Sequence, residues 1–165
     1  MSKQNIKIQE IVLRPVLEED LDIFFKQMSD PLANQMAAFT SEDPTNRGVF
    51  DQKWQKIRED DTIILKTILS DGVVSGHIAK FEMIGKPEIT YWVGKEYWGR
   101  GIATNALTLF LDDFTERPLY ARAAKDNIGS IRVLEKCGFN IIGVESAFAN
   151  ALGMETEEII FELCQ

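Results

Sequence analysis

Two cysteines, Cys137 and Cys164, and one histidine, His77, are spread over 165 residues. Neither cysteine stands in a CxxC pair or a Cys/His cluster, so there is no pattern for a metal site and too few thiols for a disulfide framework. No run of about 18 apolar residues exists to form a membrane helix. The opening stretch MSKQNIKIQE holds no apolar segment of the secretory kind, and the expected location is cytoplasmic. Positive charge is also scarce: 18 Lys and Arg against 26 Asp and Glu leave a net charge of −8. Phosphate backbones and anionic lipid surfaces reward the opposite balance, so neither nucleic acid nor membrane is an expected partner, whereas a cationic substrate is compatible.

What is present is ordinary globular material, 45% hydrophobic and 27% charged. A chain of this length can bury a proper core as one domain over residues 1–165. Residues 6–14, IKIQEIVLR, alternate as a first strand, and Leu21, Phe24, Phe25 and Met28 then recur at helical spacing. From 30 to 47 the pattern is irregular, with Pro31 and Pro44 as breakers, and it reads as a lid or wall before a second helix over 48–59. TIILKTIL and VVSGHIAKFEM are β-rich runs joined by Ser70, Asp71 and Gly72, and IGKP turns the chain again into EITYWV, which gives three consecutive antiparallel strands.

Ala103, Leu107, Phe110, Leu111 and Phe114 make one apolar stripe on a helix over 103–115. Strand 88–93, that helix and a strand over 119–123 form a βαβ unit with a right-handed crossover and a parallel strand pair. IGSIRVLEKC is a further helix, with Asn127 as its N-cap and Gly138 just past its end. FNIIGVES and ETEEIIFEL close the chain as strands.

The stretch EYWGRGIATNAL places two glycines between a strand and a helix, an order suited to phosphate because the first turn of a helix offers unpaired N–H groups. The nucleotide P-loop GxxxxGK[ST] is absent. The dinucleotide fingerprint starting at Gly99 would need Gly or Ala where Thr104 stands, and no acidic residue ends the next strand. What remains is x-x-x-G-x-A from Trp98 to Ala103. Small residues at 99, 101 and 103 let backbone N–H groups approach a phosphate, and Arg100 adds charge.

YWVGKEYWGRGIATNAL, followed by DNIGSIRVLEKCGF, resembles the GNAT superfamily of acyl-CoA-dependent N-acetyltransferases. The opening LRPVLEEDLDIFF resembles the branch containing the ribosomal-protein N-terminal acetyltransferases. The resemblance covers nearly the whole chain and is strongest over residues 88–139. It implies a mixed α/β fold: a central, mostly antiparallel sheet of six to seven strands, one parallel splayed pair, and helices on both faces. Acetyl-CoA is the implied cosubstrate, without a metal. Backbone groups of Trp92 and Val93 would pair with the pantetheine arm, amides of Gly99, Arg100, Gly101, Ile102, Ala103 and Thr104 would hold the pyrophosphate, and Asn127, with Ser130 beside it, would hydrogen-bond the cofactor. Trp98 departs from the Gln or Arg usual at its place in the family motif, which leaves the backbone donors untouched.

Each of these residues also has a plainer reading. Gly99 and Gly101 fit turns with positive φ, Asn127 fits an N-cap, Ser130 fits a hydrogen bond near a helix start, and Tyr91, Trp92, Tyr97 and Trp98 fit core and rim. Alternation puts Glu88, Thr90 and Trp92 on one face of their strand, which aims Glu88 at the site as the general base the family implies. His77 and a water are the other bases to weigh. Ser130 is the implied acid for the departing thiolate, since Leu134 occupies the place where other members of the family carry a tyrosine. Cys137 reads as a buried thiol.

The reaction implied is direct attack of a neutral amine on the thioester through a tetrahedral intermediate, with a strand N–H, that of Val93, at the oxyanion. Deprotonating an α-amine at neutral pH costs about 1 kcal/mol, and a lysine roughly 4 to 5, so an N-terminal or small amine makes less demand on a base. The acceptor is then a protein N-terminus or a small amine, chosen by the segments 30–50 and 146–154. A non-catalytic acyl-CoA sensor would keep the loop and Asn127 without the acid and base. A homodimer is left open.

Overall fold

The computed structural model describes residues 9–165. Among these residues seven strands form one sheet in the order β1-β2-β3-β4-β5-β7-β6. They are β1 (Ile11–Pro15), β2 (Ile64–Ser70), β3 (Val73–Met83), β4 (Lys86–Val93), β5 (Leu119–Ala124), β6 (Asn140–Ala149) and β7 (Met154–Leu163). Residues 6–8 of the expected first strand lie outside the described residues. Every neighbouring pair is antiparallel except β4 with β5. The helices are α1 (Asp20–Met28), α2 (Pro31–Ala37), α3 (Arg47–Glu59), α4 (Ile102–Asp113) and α5 (Ile128–Lys136).

Turn chemistry sets the registers. The β2–β3 and β3–β4 hairpins turn on Asp71-Gly72 and Ile84-Gly85, with φ of 49° and 80°, then 50° and 72°. Two consecutive positive-φ residues give the twist that flanking strands require. Side chains then sort by alternation. Ile68, Ile78, Ile89, Leu119, Ala121 and Phe161 meet Ile102, Ala106, Leu107 and Phe110 of α4 and Leu134 of α5 in the main core. Leu21 and Phe24 of α1 pack with Phe50 and Trp54 of α3 in a second core beside Leu65 and Val74, so helices cover both faces.

Two expectations change. Pro31 starts α2 rather than breaking the chain, because its missing N–H falls at the first helical position, where no internal bond is lost. Asp30 caps that helix, its Oδ2 accepting from the Ala33 amide at 2.9 Å. The connection expected over 146–154 is shorter, since β6 continues to Ala149, which pairs with Met154, and the chain turns through 150–153. That turn braces the loop after α2: the Asn150 side chain donates to the Thr40 carbonyl at 2.7 Å, and the Ala151 amide to the Ala38 carbonyl at 3.2 Å.

The feature that positions the site is the parallel pair. Among the described residues β4 and β5 share one registered pair, Glu88 with Tyr120. Beyond it β4 stays with β3 as far as the pairing of Val93 with Gly76, while β5 stays with β7. The two strands part there.

Candidate active site

Past Val93 the chain makes one short turn, Lys95–Tyr97, and reaches Gly99 and Gly101 at φ of 77° and 75°. Gly101 is the N-cap of α4, with no side-chain cap. The Asn105 amide bonds the Gly101 carbonyl at 3.1 Å, so the preceding amides of Ile102, Ala103 and Thr104 belong to the first turn, where a helix supplies no acceptor. A Cβ on Gly99 would meet nothing within 4 Å, and one on Gly101 only the side-chain Nδ2 of Asn105 at 3.9 Å. The glycines serve the backbone conformation, and their bareness keeps the mouth of the loop open. Over these amides lies a cavity of about 460 Å³, lined also by Val93, Trp98, Asn127 and Ser130. An uncapped helix start beneath an open cavity fits a pyrophosphate.

Arg100 lies over the Tyr97 ring at 5.6 Å and is not part of the lining. Arg132 and Lys136, one turn apart on α5, do line the cavity. The sequence reading passed over them, although two cations at i, i+4 on the helix after Asn127 share a face.

The edge of β4 corrects one expectation. The Gly94 amide donates to the Ser75 carbonyl at 2.9 Å, so by ladder alternation Trp92 exchanges its backbone bonds with His77 of β3. The N–H and C=O of Tyr91 and Val93 face the gap instead. Val93 thus presents its backbone at the splay, whereas the backbone of Trp92 is committed to β3, and both residues line the cavity. Trp98 donates its indole N–H to the Val93 carbonyl at 2.9 Å. That bond gives the departure at Trp98 a structural job: it ties the glycine loop to the end of β4 and leaves the Val93 amide free.

Across the gap, Asn127 caps α5, its Oδ1 accepting from the Ser130 amide at 3.3 Å. With Oδ1 committed, its amide nitrogen is the group that can donate into the cavity. The Tyr91 hydroxyl lies 2.9 Å from Ser130 Oγ. Burial pushes the Tyr91 phenol above its ordinary range. Sequence reasoning placed Tyr91 in the core, and nothing in the local pattern announces this contact between a strand and a helix.

A second cavity of about 640 Å³ runs along the other face of the sheet and shares Ala37, Tyr91, Trp92, Asn127 and Ser130 with the first. Phe39, Thr40, Phe81, Glu88, Thr90 and Arg122 are among its walls. Glu88 is buried at 7% exposure, and its Oε1 accepts from Arg122 Nε at 3.1 Å. Arg122 also donates to Glu145 at 2.7 Å and Glu158 at 3.1 Å, bonds that with Glu88 hold its guanidinium above the usual range. Alternation foretold the face of Glu88, but not this ionic knot. Glu88 stands five residues before Val93, about 16 Å along an extended strand.

His77 does not line either cavity. It packs between the rings of Phe24 and Trp54, each 4.9 Å away, and burial, with the nearby Lys53 charge, lowers it to about 3. Burial pushes the Cys137 thiol up, as suits a packing residue. Phe148, from the expected acceptor segment, is 58% exposed and lines neither cavity. No helix among the described residues is long and apolar enough to cross a membrane.

A family model described as an acetyltransferase (GNAT) domain matches residues 10–140. The chain belongs to the GNAT acetyltransferase family. Solved structures share the fold of this GNAT chain. A spermidine N-acetyltransferase from Vibrio cholerae, in complex with CoA and spermine, superposes with a TM-score of 0.78 at 20% identity, covering 94% of this chain and 95% of that one. A ribosomal-protein-alanine N-acetyltransferase from Brucella melitensis gives 0.77 at 20% identity, covering 93% and 99%. Mycobacterium smegmatis RimJ in complex with CoA-disulfide gives 0.76 at 23% identity, covering 93% and 81%. No curated protein matches the sequence significantly.

Proposed function

We propose that this GNAT chain moves an acetyl group from acetyl-CoA to a primary amine. The observation that carries the reading is the gap between β4 and β5, where the Val93 amide faces a cavity that ends on the uncapped start of α4. Acetyl-CoA supplies the activated thioester. The amides of Gly99 to Thr104 hold its pyrophosphate, Arg132 and Lys136 add positive charge, and the free edge of β4 at Tyr91 takes the pantetheine arm as an added strand, with the Val93 amide left for the thioester. With the carbonyl fixed at the end of β4, the Val93 N–H faces the oxygen as it gains charge.

The acceptor enters along the second cavity, which meets the first at Tyr91, Trp92, Asn127 and Ser130. Glu88 is too far along its strand to take a proton directly from an amine attacking beside Val93, since that transfer needs about 3 Å. It serves as base through water, or holds the incoming ammonium. Ser130 protonates the departing thiolate. Relatives of the same fold solved with spermine, or acting on ribosomal-protein alanine, support a small amine and a protein N-terminus alike.

The deciding assay is release of CoA from acetyl-CoA against N-terminal peptides, polyamines, amino acids and aminoglycosides, with Gly101→Glu as control. Turnover with one class, lost in the control because a carboxylate then stands where phosphate should, is expected. Tight binding with no turnover across the panel would move the chain to the acyl-CoA sensor class. Absence of binding would remove the cosubstrate site.

A further inference from the structure

We infer that Tyr91 is the positioning residue for the Ser130 hydroxyl, an assignment that rests on the transferase reading above. The phenolic oxygen is 2.9 Å from Ser130 Oγ and 3.2 Å from the Ser130 carbonyl oxygen. β4 supplies the tyrosine and α5 the serine, and both residues line both cavities, so the contact sits where cosubstrate and acceptor must meet.

Proton counting leaves the pair two arrangements. Each hydroxyl has one proton to donate. When Tyr91 donates to Ser130 Oγ, the serine proton is free to turn into the cavity. When Tyr91 donates to the carbonyl instead, the serine can satisfy the phenolic oxygen, and its proton then points away from the site. The 2.9 Å separation is bonded in either arrangement, and a sulfur in the cavity selects the first, because only there does the serine proton meet an acceptor outside the pair. Burial works the same way: a phenol held above its ordinary range keeps its proton and remains a donor.

The step this serves is expulsion of the thiolate. As the carbon–sulfur bond breaks, its electron pair goes to sulfur. Ser130 gives its proton to that sulfur, forming S–H, and the O–H pair stays on Oγ. Tyr91 donates to Oγ while it carries this charge. The proton shed by the acceptor nitrogen, relayed by water, restores the serine, and nothing is oxidised or reduced. Tyr91 thus acts through Ser130 and keeps its own proton throughout.

The first test needs no acceptor. Affinities for CoA and for desulfo-CoA are measured by calorimetry between pH 7 and 9.5. A hydroxyl aimed at the sulfur stabilises the thiolate, so the preference of the wild-type chain for CoA over desulfo-CoA should grow about fivefold or more as the thiol ionises. In Tyr91→Phe, which keeps the ring, that growth should fall below about twofold while desulfo-CoA binds as before, and Ser130→Ala should behave the same way. Unchanged desulfo-CoA affinity shows that the variant is folded. A flat preference in the wild type, or one retained by Tyr91→Phe, overturns the pairing. Failure of the wild type to bind either compound would instead overturn the cosubstrate site itself.

The second test is kinetic, with acetyl-CoA and the amine that the panel selects. Tyr91→Phe should lower kcat by about 10- to 100-fold with KM for acetyl-CoA within about twofold. In a Ser130→Ala background it should cost no more than about twofold further. Unchanged kcat, or full additivity of the two substitutions, overturns the inference. If the wild type binds but turns over nothing on the panel, the transferase reading falls, and the calorimetric preference still decides whether the hydroxyl pair faces the sulfur.

Discussion

Asp20 is a carboxylate with 1% exposure, and its oxygens take bonds from Arg14 at 2.6 and 2.9 Å, the Leu17 amide at 2.9 Å and the Thr67 hydroxyl at 2.7 Å. Burial alone would raise it, but the Arg14, Leu17 and Thr67 bonds together outweigh burial and hold it below the usual aspartate range. A carboxylate depressed in this way stabilises the fold above its unfolded value near 3.9, and that contribution is lost as pH falls through the folded value. Asp20→Asn should therefore cost about 3 kcal/mol at pH 7, with the deficit shrinking toward pH 3, as read by urea denaturation at both pH values. A deficit independent of pH would mean that the charge contributes nothing and only shape matters. Glycines 99 and 101 and the cap at Asn127 were legible because each serves its neighbours within a few residues. The Tyr91 hydroxyl was not, because its partner is 39 residues away and the contact exists only once α5 lies across the end of β4.

Elements follow the same division between local and distant causes. The β2–β3 hairpin was readable because Asp71-Gly72 states its turn type locally, and α4 because its apolar stripe has one period. α2 was missed because it is only seven residues long, too short for a stripe, and begins with the proline that otherwise ends helices. The splay of β4 from β5 has no local sign at all, since it depends on which neighbour each strand keeps. The β3–β4 turn offers a test at this scale. Ile84 is a β-branched residue at φ 50°, 96% exposed, in a position that favours Asn or Gly. Its strain costs about 1 kcal/mol and nothing is packed against the side chain to offset it. Ile84→Asn should raise stability by about 1 kcal/mol and Tm by roughly 2 to 4 °C in a thermal scan, without altering turnover. A lower Tm would show that the exposed isoleucine makes a contact worth more than its backbone strain.

Taken as a whole, the molecule is a sheet in two halves, β1 to β4 and β5 to β6, with one registered pair at the seam among the described residues. Beyond Glu88 and Tyr120 the halves are held by α2 against β5, by α4 and α5, and by the Arg122 knot, which ties Glu88 of β4 to Glu158 of β7 and Glu145 of β6. A pantetheine arm bonded to the free edge of β4 would add a bridge at the point where strand pairing stops. Binding and folding must then be linked: at a ligand concentration 100 times Kd the native state gains about 2.7 kcal/mol, or roughly 5 to 10 °C in Tm for a chain of this size. The location of that gain is the sharper prediction. Amide hydrogen exchange should slow by about tenfold or more at Tyr91, Val93 and Ile102 to Thr104 when CoA is added, with little change along β1 and β2, where the ladder is already closed. Gly101→Glu should abolish both the Tm shift and the protection. Stabilisation by CoA with exchange unchanged at β4 would place the ligand away from the gap, and the architecture of the splayed pair would then need another purpose.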